Sequence, residues 1–393
     1  MSAGPVQGEG PLVFLVAGEP SGDQLGARLM AALKAETGGA VRFAGVGGPR
    51  MRAEGLESLF PMDELAVMGL VEVLPHLRRI LRRIAETVAA ARAARPDALV
   101  TIDSPAFSLR VSKKLKGAGF PLIHYVAPSV WAWKPWRARR VAGFLDHLLA
   151  LLPFEPPYFE AHGLATTVVG HPAVEAAAEP ADGAAFRVAH GIPAEAPLLA
   201  VLPGSRKSEV ARLAPVFAAT LAKLASDFPG LRAVVPTVPN VAPLVRAAAE
   251  AWPVETLVLE GPAEKYAAFA AADAALAASG TVAVELAVAR CPTVVAYRVS
   301  ALSAAIARRM LKVRFVSLAN LVLDRAVQPE LLQENCTPQR LADAVRPLLA
   351  DGKARERQLA DLDRVLAALS GAGDGPPSRQ AACAVLRVIA DRG

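Results

Sequence analysis

Leu198-Leu-Ala-Val-Leu-Pro-Gly-Ser-Arg-Lys-Ser-Glu209 is the stretch on which the reading of the fold turns. Five apolar residues predict a buried strand, Pro203-Gly204 ends it, and an amphipathic run from about Ser208 to Phe228 predicts a helix. A strand that passes through a glycine turn directly into a helix is the repeating unit of a parallel sheet covered on both faces. The same unit stands near the start. Leu12-Val-Phe-Leu-Val-Ala17 leads into Gly18-Glu-Pro-Ser-Gly-Asp23 and an amphipathic stretch that runs to about Ala35.

Working outward, the first half supplies further strands at Val41–Val46, Ala98–Ile102, Leu122–Val126, Leu148–Leu152 and Thr167–Val169, with helices over Leu77–Ala94 and Ser108–Ala118. The second half adds Ala233–Val235, Thr256–Leu259, Ala274–Leu276 and Thr293–Tyr297, then a helical tail from Pro338 to about Ile389. Ala176–Ala185, small and Pro/Gly-containing, reads as the linker. The fold class is therefore α/β, two doubly wound Rossmann-like domains facing a cleft. The expected division is 11–180, 186–345, and C-terminal helices over 346–393 that pack back on the N-terminal domain. Ligands of such domains meet the carboxyl ends of the strands, but the fold does not select a reaction.

At 393 residues, 53% hydrophobic and 20% charged, the chain has enough apolar matter for two cores and is not disordered. Its mean hydropathy of +0.34 prompts a search for membrane spans. The most apolar stretch, Tyr266 to Ala289, is broken by Asp273, Ser279, Gly280 and Glu285, so it is too short to cross a bilayer. Met1 to Gly10 has neither basic residues nor an apolar run and reads as a flexible tail, not a signal peptide. Cys291, Cys336 and Cys383 are far apart and odd in number, which predicts a reducing compartment and neither a disulfide framework nor a zinc site.

Charge is unevenly spread. His76 to Leu145 carries fourteen Lys and Arg against three acids, a net +11, leaving −5 for the rest of a chain whose net charge is +6. Such a patch attracts anionic lipid, nucleic acid or phosphorylated substrate, although a solvated helix face is the plainer explanation. Arg78, Arg79, Arg82 and Arg83 share one polar face of the predicted helix. Trp131, Trp133 and Trp136 lie beside Lys134, Arg137, Arg139 and Arg140. Tryptophans with a basic flank suit a membrane interface, while core packing is the alternative.

Several turns carry candidate chemistry. Gly18-Glu-Pro-Ser-Gly-Asp23 is neither a P-loop nor a dinucleotide fingerprint; Gly18, Ser21 and Gly22 can bring backbone close to a ligand, and Asp23 can cap the helix that follows. Phe43-Ala-Gly-Val-Gly-Gly48 fails the dinucleotide pattern because Arg50 stands where its third glycine belongs. Asp103 ends an apolar strand before Ser104-Pro105, a place for a general base or a turn aspartate. Gly204, Ser205 and Arg206 lie where backbone N–H groups, a helix dipole and a guanidinium can receive a diphosphate. Ser279, Gly280 and Thr281 form another strand-to-helix turn, and Glu285 sits four residues after Thr281, placed to take ribose hydroxyls or simply to complement the helix dipole. Asn320 in Ser317-Leu-Ala-Asn320 can reach a base or diphosphate, or hold a turn. Asp361-Leu-Asp363 matches a metal-holding D-x-D but lies among Lys353, Arg355 and Arg364, so it reads as a solvated face and no metal is assigned. His171, in Val169-Gly-His-Pro172, is read as a structural hydrogen-bonding group near the crossing between domains.

Taken in order, these motifs resemble the lipid A disaccharide synthase family, whose members are glycosyltransferases of the GT-B type. The matching signatures are G-E-P-S-G-D at 18–23, F-x-G-x-G-G-x-x-M at 43–51, V-M-G-L-V-E-V-L at 67–74, I-D-S-P at 102–105, Y-V-A-P-S-V-W-A-W at 125–133, L-P-F-E at 152–155 and V-G-H-P at 169–172. The second half adds L-P-G-S-R at 202–206, A-S-G-T at 278–281, S-L-A-N at 317–320 and E-L-L-Q at 330–333. Pro20 and Glu175 depart from the pattern, where Ala and Asp are expected. The resemblance implies an inverting transfer from UDP-2,3-diacylglucosamine to 2,3-diacylglucosamine 1-phosphate, forming a β-1,6 bond and releasing UDP without a cofactor. By resemblance, Asp103 is the base for the acceptor 6-hydroxyl, and Arg206 stabilises the leaving group. Gly204, Ser205, Ser279, Gly280, Thr281, Glu285 and Asn320 face UDP. Gly18, Ser21, Gly22, Asp23, Met68, Trp131 and Trp133 face the acceptor and its lipid. The four arginines then meet the anionic inner face of the inner membrane, with the enzyme cytoplasmic and peripheral. A homodimer is left open.

Two other readings share parts of this pattern. A different UDP-sugar enzyme, such as a peptidoglycan-type transferase or an epimerase, would have the architecture without the Trp/basic run and I-D-S-P together. A non-catalytic lipid or nucleotide binder would bind without turnover. Nucleic acid is not an expected partner, because the basic patch is local.

Overall fold

The computed structural model describes residues 10–65, 70–133, 135–177, 181–300, 304, 309, 313–350 and 352–392. The tail at 1–9, Met68 and Lys134 lie outside the described residues, as do the side chains of residues 70–77 and of Trp133.

The chain divides into two compact units. The first runs to Pro172 and takes back the segment from Ser370 onward; the second is Ala173–Leu369. The boundary thus falls earlier than the expected linker. That stretch falls within the second unit, where the Asp182 carboxylate caps the helix Gly183–Ala189 by accepting from the Ala185 N–H. The expected C-terminal block is also divided. Helices Pro338–Leu349 and Lys353–Leu369 stay with the second unit, and only the helix Pro377–Ala390 joins the first.

The first unit holds six strands: β1 (Leu12–Ala17), β2 (Arg42–Val46), β3 (Ala98–Ile102), β4 (Leu122–Tyr125), β5 (His147–Ala150) and β6 (Ala165–Val168). All pair in parallel, in the order β2-β1-β3-β4-β5-β6. Alternation along β1 serves two cores. Val13, Leu15 and Ala17 pack with Leu25, Leu29 and Leu33 of the helix Pro20–Glu36, and Phe14 and Val16 pack on the other face with Ile84 and Val111. Each fully buried leucine or phenylalanine here contributes roughly 1.5–3 kcal/mol. Pro20 occupies the first helical position, where its missing N–H costs nothing. The returning helix Pro377–Ala390 lies along Pro20–Glu36, burying Ala381, Ala382, Ala384 and Val385 in the same core. Arg379 pairs with Glu36 at 2.7 Å and Arg392 with Asp146 at 2.5 Å.

The second unit repeats the plan with β7 (Leu198–Leu202), β8 (Arg232–Thr237), β9 (Glu255–Glu260), β10 (Ala274–Ala278), β11 (Thr293–Tyr297) and β12 (Glu330–Leu332). The order is β12-β11-β10-β7-β8-β9, again all parallel. Both sheets reverse direction once. In the first the switch lies between β1 and β3, in the second between β7 and β10. Loops leaving adjacent strands at such a point diverge to opposite faces and open a crevice for a ligand. Those loops, with the first turns of the helices they enter, contain Gly18–Asp23, Asp103, Gly204–Arg206 and Ser279–Thr281.

Candidate functional site

In the first unit, Gly18 and Asp103 leave neighbouring strands. A side chain at Gly18 would put its Cβ 2.7 Å from Ser104 Oγ, so glycine lets the two loops touch. Asp103 and Ser104 both adopt left-handed backbone, φ +47° and +44°, which costs each on the order of 1–3 kcal/mol. The strain is fixed by neighbours. The Asp103 N–H donates to Tyr125 O at 2.9 Å, and Ser104 O accepts from the N–H groups of Phe107 and Ser108. The Asp103 carboxylate is half-buried, and its Oδ2 accepts from the Ser21 hydroxyl at 3.1 Å. The geometry supplies a carboxylate with one oxygen steadied and solvent access for an alcohol. Glu19, not expected from sequence, joins this cluster: burial first, then the Asp103 charge, raises its pKa, while a hydrogen bond with Ser104 opposes the rise.

Asp23 serves a different purpose from the one expected. Its carboxylate is buried and accepts from the N–H groups of Gly48 (2.8 Å), Met51 (3.0 Å) and Arg50 (3.0 Å). It therefore caps the helix Pro49–Ala53, not its own, and is spent on structure. That helix borders a groove of about 770 Å³ lined by Gly48, Pro49, Arg52, Leu56, Phe60 and Met62. Gly22 is buried too, with room for no more than a methyl 3.3 Å from Ile102 O.

Trp131 is half-buried and anchored. Its Nε1–H donates to Glu155 Oε1 at 3.2 Å and its ring meets Phe154 edge-on, centroids 5.2 Å apart. The other Glu155 oxygen accepts from the N–H groups of Leu151 and Leu152. Burial pushes Glu155 up to about 7. Trp136 is exposed, 61% accessible.

The four arginines do not act alike. Arg78 and Arg82 are exposed and Arg79 is half-buried. Arg83 is occupied: its guanidinium donates to Glu64 at 2.7 and 3.0 Å and to Glu86 at 2.6 Å, and lies 4.5 Å from the centroid of the Phe60 ring. It is a packing residue and is withdrawn from the expected basic patch. His171 is buried, which holds its pKa down at about 4 and keeps the ring neutral.

In the second unit, Gly204 has φ +118° and the helix Lys207–Asp227 starts immediately after Arg206. Of the Gly204 and Ser205 N–H groups expected to receive a diphosphate, that of Ser205 instead donates to Glu209 Oε2 at 3.1 Å, as does the Arg206 N–H at 3.2 Å. Arg206 Nη1 donates to Glu209 Oε1 at 2.6 Å while the arginine side chain remains 73% exposed. The sequence signal for Glu209 was its place three residues into the helix, the N3 position of a capping box. Asn240 Nδ2 donates to Ser205 O at 2.9 Å, holding the turn from its other side. Across the switch point, Ser279 is half-buried, Gly280 and Thr281 are exposed, and Glu285 lies on the helix Thr281–Val288 as expected. Lys265 Nζ donates to Glu285 Oε1 at 2.8 Å, so one carboxylate oxygen is neutralised and the other can accept from hydroxyls.

Asn320 is not available to a ligand. It is buried, its Nδ2 donates to Gln328 O and Glu330 Oε1, and its Oδ1 accepts from the N–H groups of Val327 and Gln328. It closes the loop before β12, and Glu330 completes that closure by accepting from the N–H groups of Val316 and Ser317. The D-x-D is ion-paired, Asp361 with Arg325 and Arg364, Asp363 with Arg290.

A family model described as Lipid-A-disaccharide synthetase matches residues 13–373. A lipid-A-disaccharide synthase of Rhodospirillum centenum is 59% identical over 383 residues, covering 97% of this chain and 95% of that one. One from Paramagnetospirillum magneticum is 56% identical over 382 residues, 96% of this chain and 97% of that one. Among solved structures, MurG of Acinetobacter baumannii superposes with TM-score 0.58 at 15% identity, over 96% of this chain and 100% of that one. A UDP-GlcNAc 2-epimerase of Neisseria meningitidis, bound to UDP-GlcNAc, gives 0.59 at 11% identity, over 97% and 99%. At such identities the likeness is one of fold, that of the GT-B class.

Proposed function

The chain belongs to the lipid-A-disaccharide synthase family, and from that premise we propose that it joins UDP-2,3-diacylglucosamine to 2,3-diacylglucosamine 1-phosphate, giving a β-1,6-linked disaccharide 1-phosphate and UDP. The observation that carries this reading is family membership across nearly the whole chain, at up to 59% identity. The geometry of each unit supports it.

Asp103, with Oδ2 steadied by Ser21, takes the proton of the acceptor 6-hydroxyl. The freed oxygen bonds to the donor's anomeric carbon from the face opposite UDP. The bond from that carbon to the diphosphate oxygen breaks, and its electron pair leaves with UDP. Arg206 stabilises the charge that develops there, and Glu285 receives the ribose hydroxyls through the oxygen that Lys265 leaves open. One displacement inverts the anomeric centre. No step is routed through a metal or cofactor.

Diacylated substrates reside in a membrane leaflet. Among the described residues no helix is long and apolar enough to cross one. By the family resemblance, the proposal places the protein on the cytoplasmic surface, held by Arg78 and Arg82. The test is product analysis. Purified protein given both substrates is expected to yield the disaccharide 1-phosphate with a β anomeric linkage. An α linkage, or epimerised donor with no disaccharide, overturns the proposal.

A further inference from the structure

We infer that Glu209 is the positioning residue that aims Arg206 at the donor's diphosphate, an inference that rests on the donor-side reading above. The Glu209 carboxylate bridges the turn's backbone and its guanidinium: one oxygen takes the Ser205 and Arg206 N–H groups, the other takes Arg206 Nη1 at 2.6 Å. The two partners differ in burial, with the Glu209 side chain 9% exposed and that of Arg206 73%. An exposed arginine with an exposed partner gains little, because two long side chains must be ordered together. Here the acceptor is already fixed by two backbone donors, so only the arginine is ordered.

The turn is built around this grip. A side chain at Gly204 would bring its Cβ within 2.6 Å of Glu209 Cβ and 2.7 Å of Oε2, and the backbone there is left-handed at φ +118°. Asn240 holds Ser205 O at 2.9 Å. Glycine at 204, glutamate at 209 and asparagine at 240 thus fix one orientation of one guanidinium. Because that group is a planar fork of five donors, gripping Nη1 sets the direction in which the rest of the fork points. The same arrangement assigns the anion to the guanidinium and not to the N–H groups of Ser205 and Arg206, which Glu209 occupies.

A double-mutant cycle tests this, with kcat, donor KM and UDP affinity measured for wild type, Glu209→Gln, Arg206→Ala and the pair. Glutamine retains the shape and one accepting oxygen but turns an amide toward the arginine. If Glu209 acts through Arg206, Glu209→Gln lowers kcat at least tenfold with donor KM changed less, and causes no further loss once Arg206 is alanine. An equal fold-loss in both backgrounds, or none in the wild-type background, overturns the inference. Should Glu209→Gln reduce the folded fraction, Arg206→Lys makes the test from the other side. Lysine keeps the charge without the fork, and wild-type turnover by that variant also overturns the inference. If Arg206→Ala itself leaves UDP affinity and turnover intact, the donor-side reading has failed instead.

Discussion

The Ser21 hydroxyl donates to Asp103 Oδ2 at 3.1 Å, joining the first helical turn after β1 to the left-handed end of β3. A carboxylate so held keeps its free oxygen in one place while remaining half-exposed. Asp103→Asn is expected to lower transfer by roughly 10²–10⁴, the range a general base contributes, and to leave UDP affinity within about threefold. Ser21→Ala removes only the steadying bond and is expected to lower kcat by about tenfold or less. Steady-state kinetics with isothermal titration of UDP checks both. Matched losses of turnover and UDP affinity in Asp103→Asn would remove the residue from the role of base.

Asn320 makes a different kind of prediction. Its carboxamide makes four hydrogen bonds inside the loop before β12. Asn320→Ala strands the Val327 and Gln328 N–H groups away from water and is expected to cost about 3 kcal/mol of stability. Urea unfolding measures that directly. A variant with wild-type stability but weakened UDP binding would instead return Asn320 to the ligand.

Glu155 predicts a pH dependence of stability. Burial raises its pKa to about 7 from an ordinary 4.5, so between those values the folded protein holds a proton that the unfolded chain has released. Stability from this group therefore falls as pH rises from about 4.5 to about 7, and the loss is complete above that, on the order of a few kcal/mol. His124 and His171, held down at about 4 by burial, act in the opposite sense, their contribution being lost as pH falls below about 6.5. Subtracting the unfolding curve of Glu155→Gln from that of wild type isolates the glutamate. A difference that is flat between pH 4.5 and 7 contradicts the assignment.

The arginines of the helix Leu70–Ala94 are expected to separate into two classes. Arg78 and Arg82 are exposed, and replacing both with serine is predicted to weaken binding to anionic vesicles roughly tenfold or more at low salt, with little change in melting temperature. Arg83→Ser, which abandons Glu64, Glu86 and the Phe60 ring, is expected to lower the melting temperature and to change vesicle binding least. Vesicle binding weakened as much by Arg83→Ser as by the double variant would contradict this division.

The two sheets were readable because Leu12–Ala17 and Leu198–Leu202 are apolar runs bounded by glycine turns, a pattern governed by neighbours along the chain. The turns at the switch points were readable for the same reason. What escaped was contact between residues distant in sequence. Asp23 caps a helix that begins more than twenty residues later, and the pKa of Glu19 is raised by burial and then by the charge of Asp103 from the neighbouring strand. Strand β12 escaped because Glu330–Leu332 has three residues and a charge, and is fixed by pairing with β11 and by the loop that Glu330 holds. Glu209 escaped too: its N3 position is a local capping signal, but its grip on Arg206 depends on how the turn folds. The substrates came from the resemblance of motifs, since no spacing of residues encodes an acyl sugar.

The central claim is tested most directly by UDP release from UDP-2,3-diacylglucosamine, measured with and without 2,3-diacylglucosamine 1-phosphate. The account predicts rapid release only when the acceptor is present, one UDP per disaccharide formed, and release slowed by roughly 10²–10⁴ in Asp103→Asn. Release that ignores the acceptor, or no release under either condition, would contradict it.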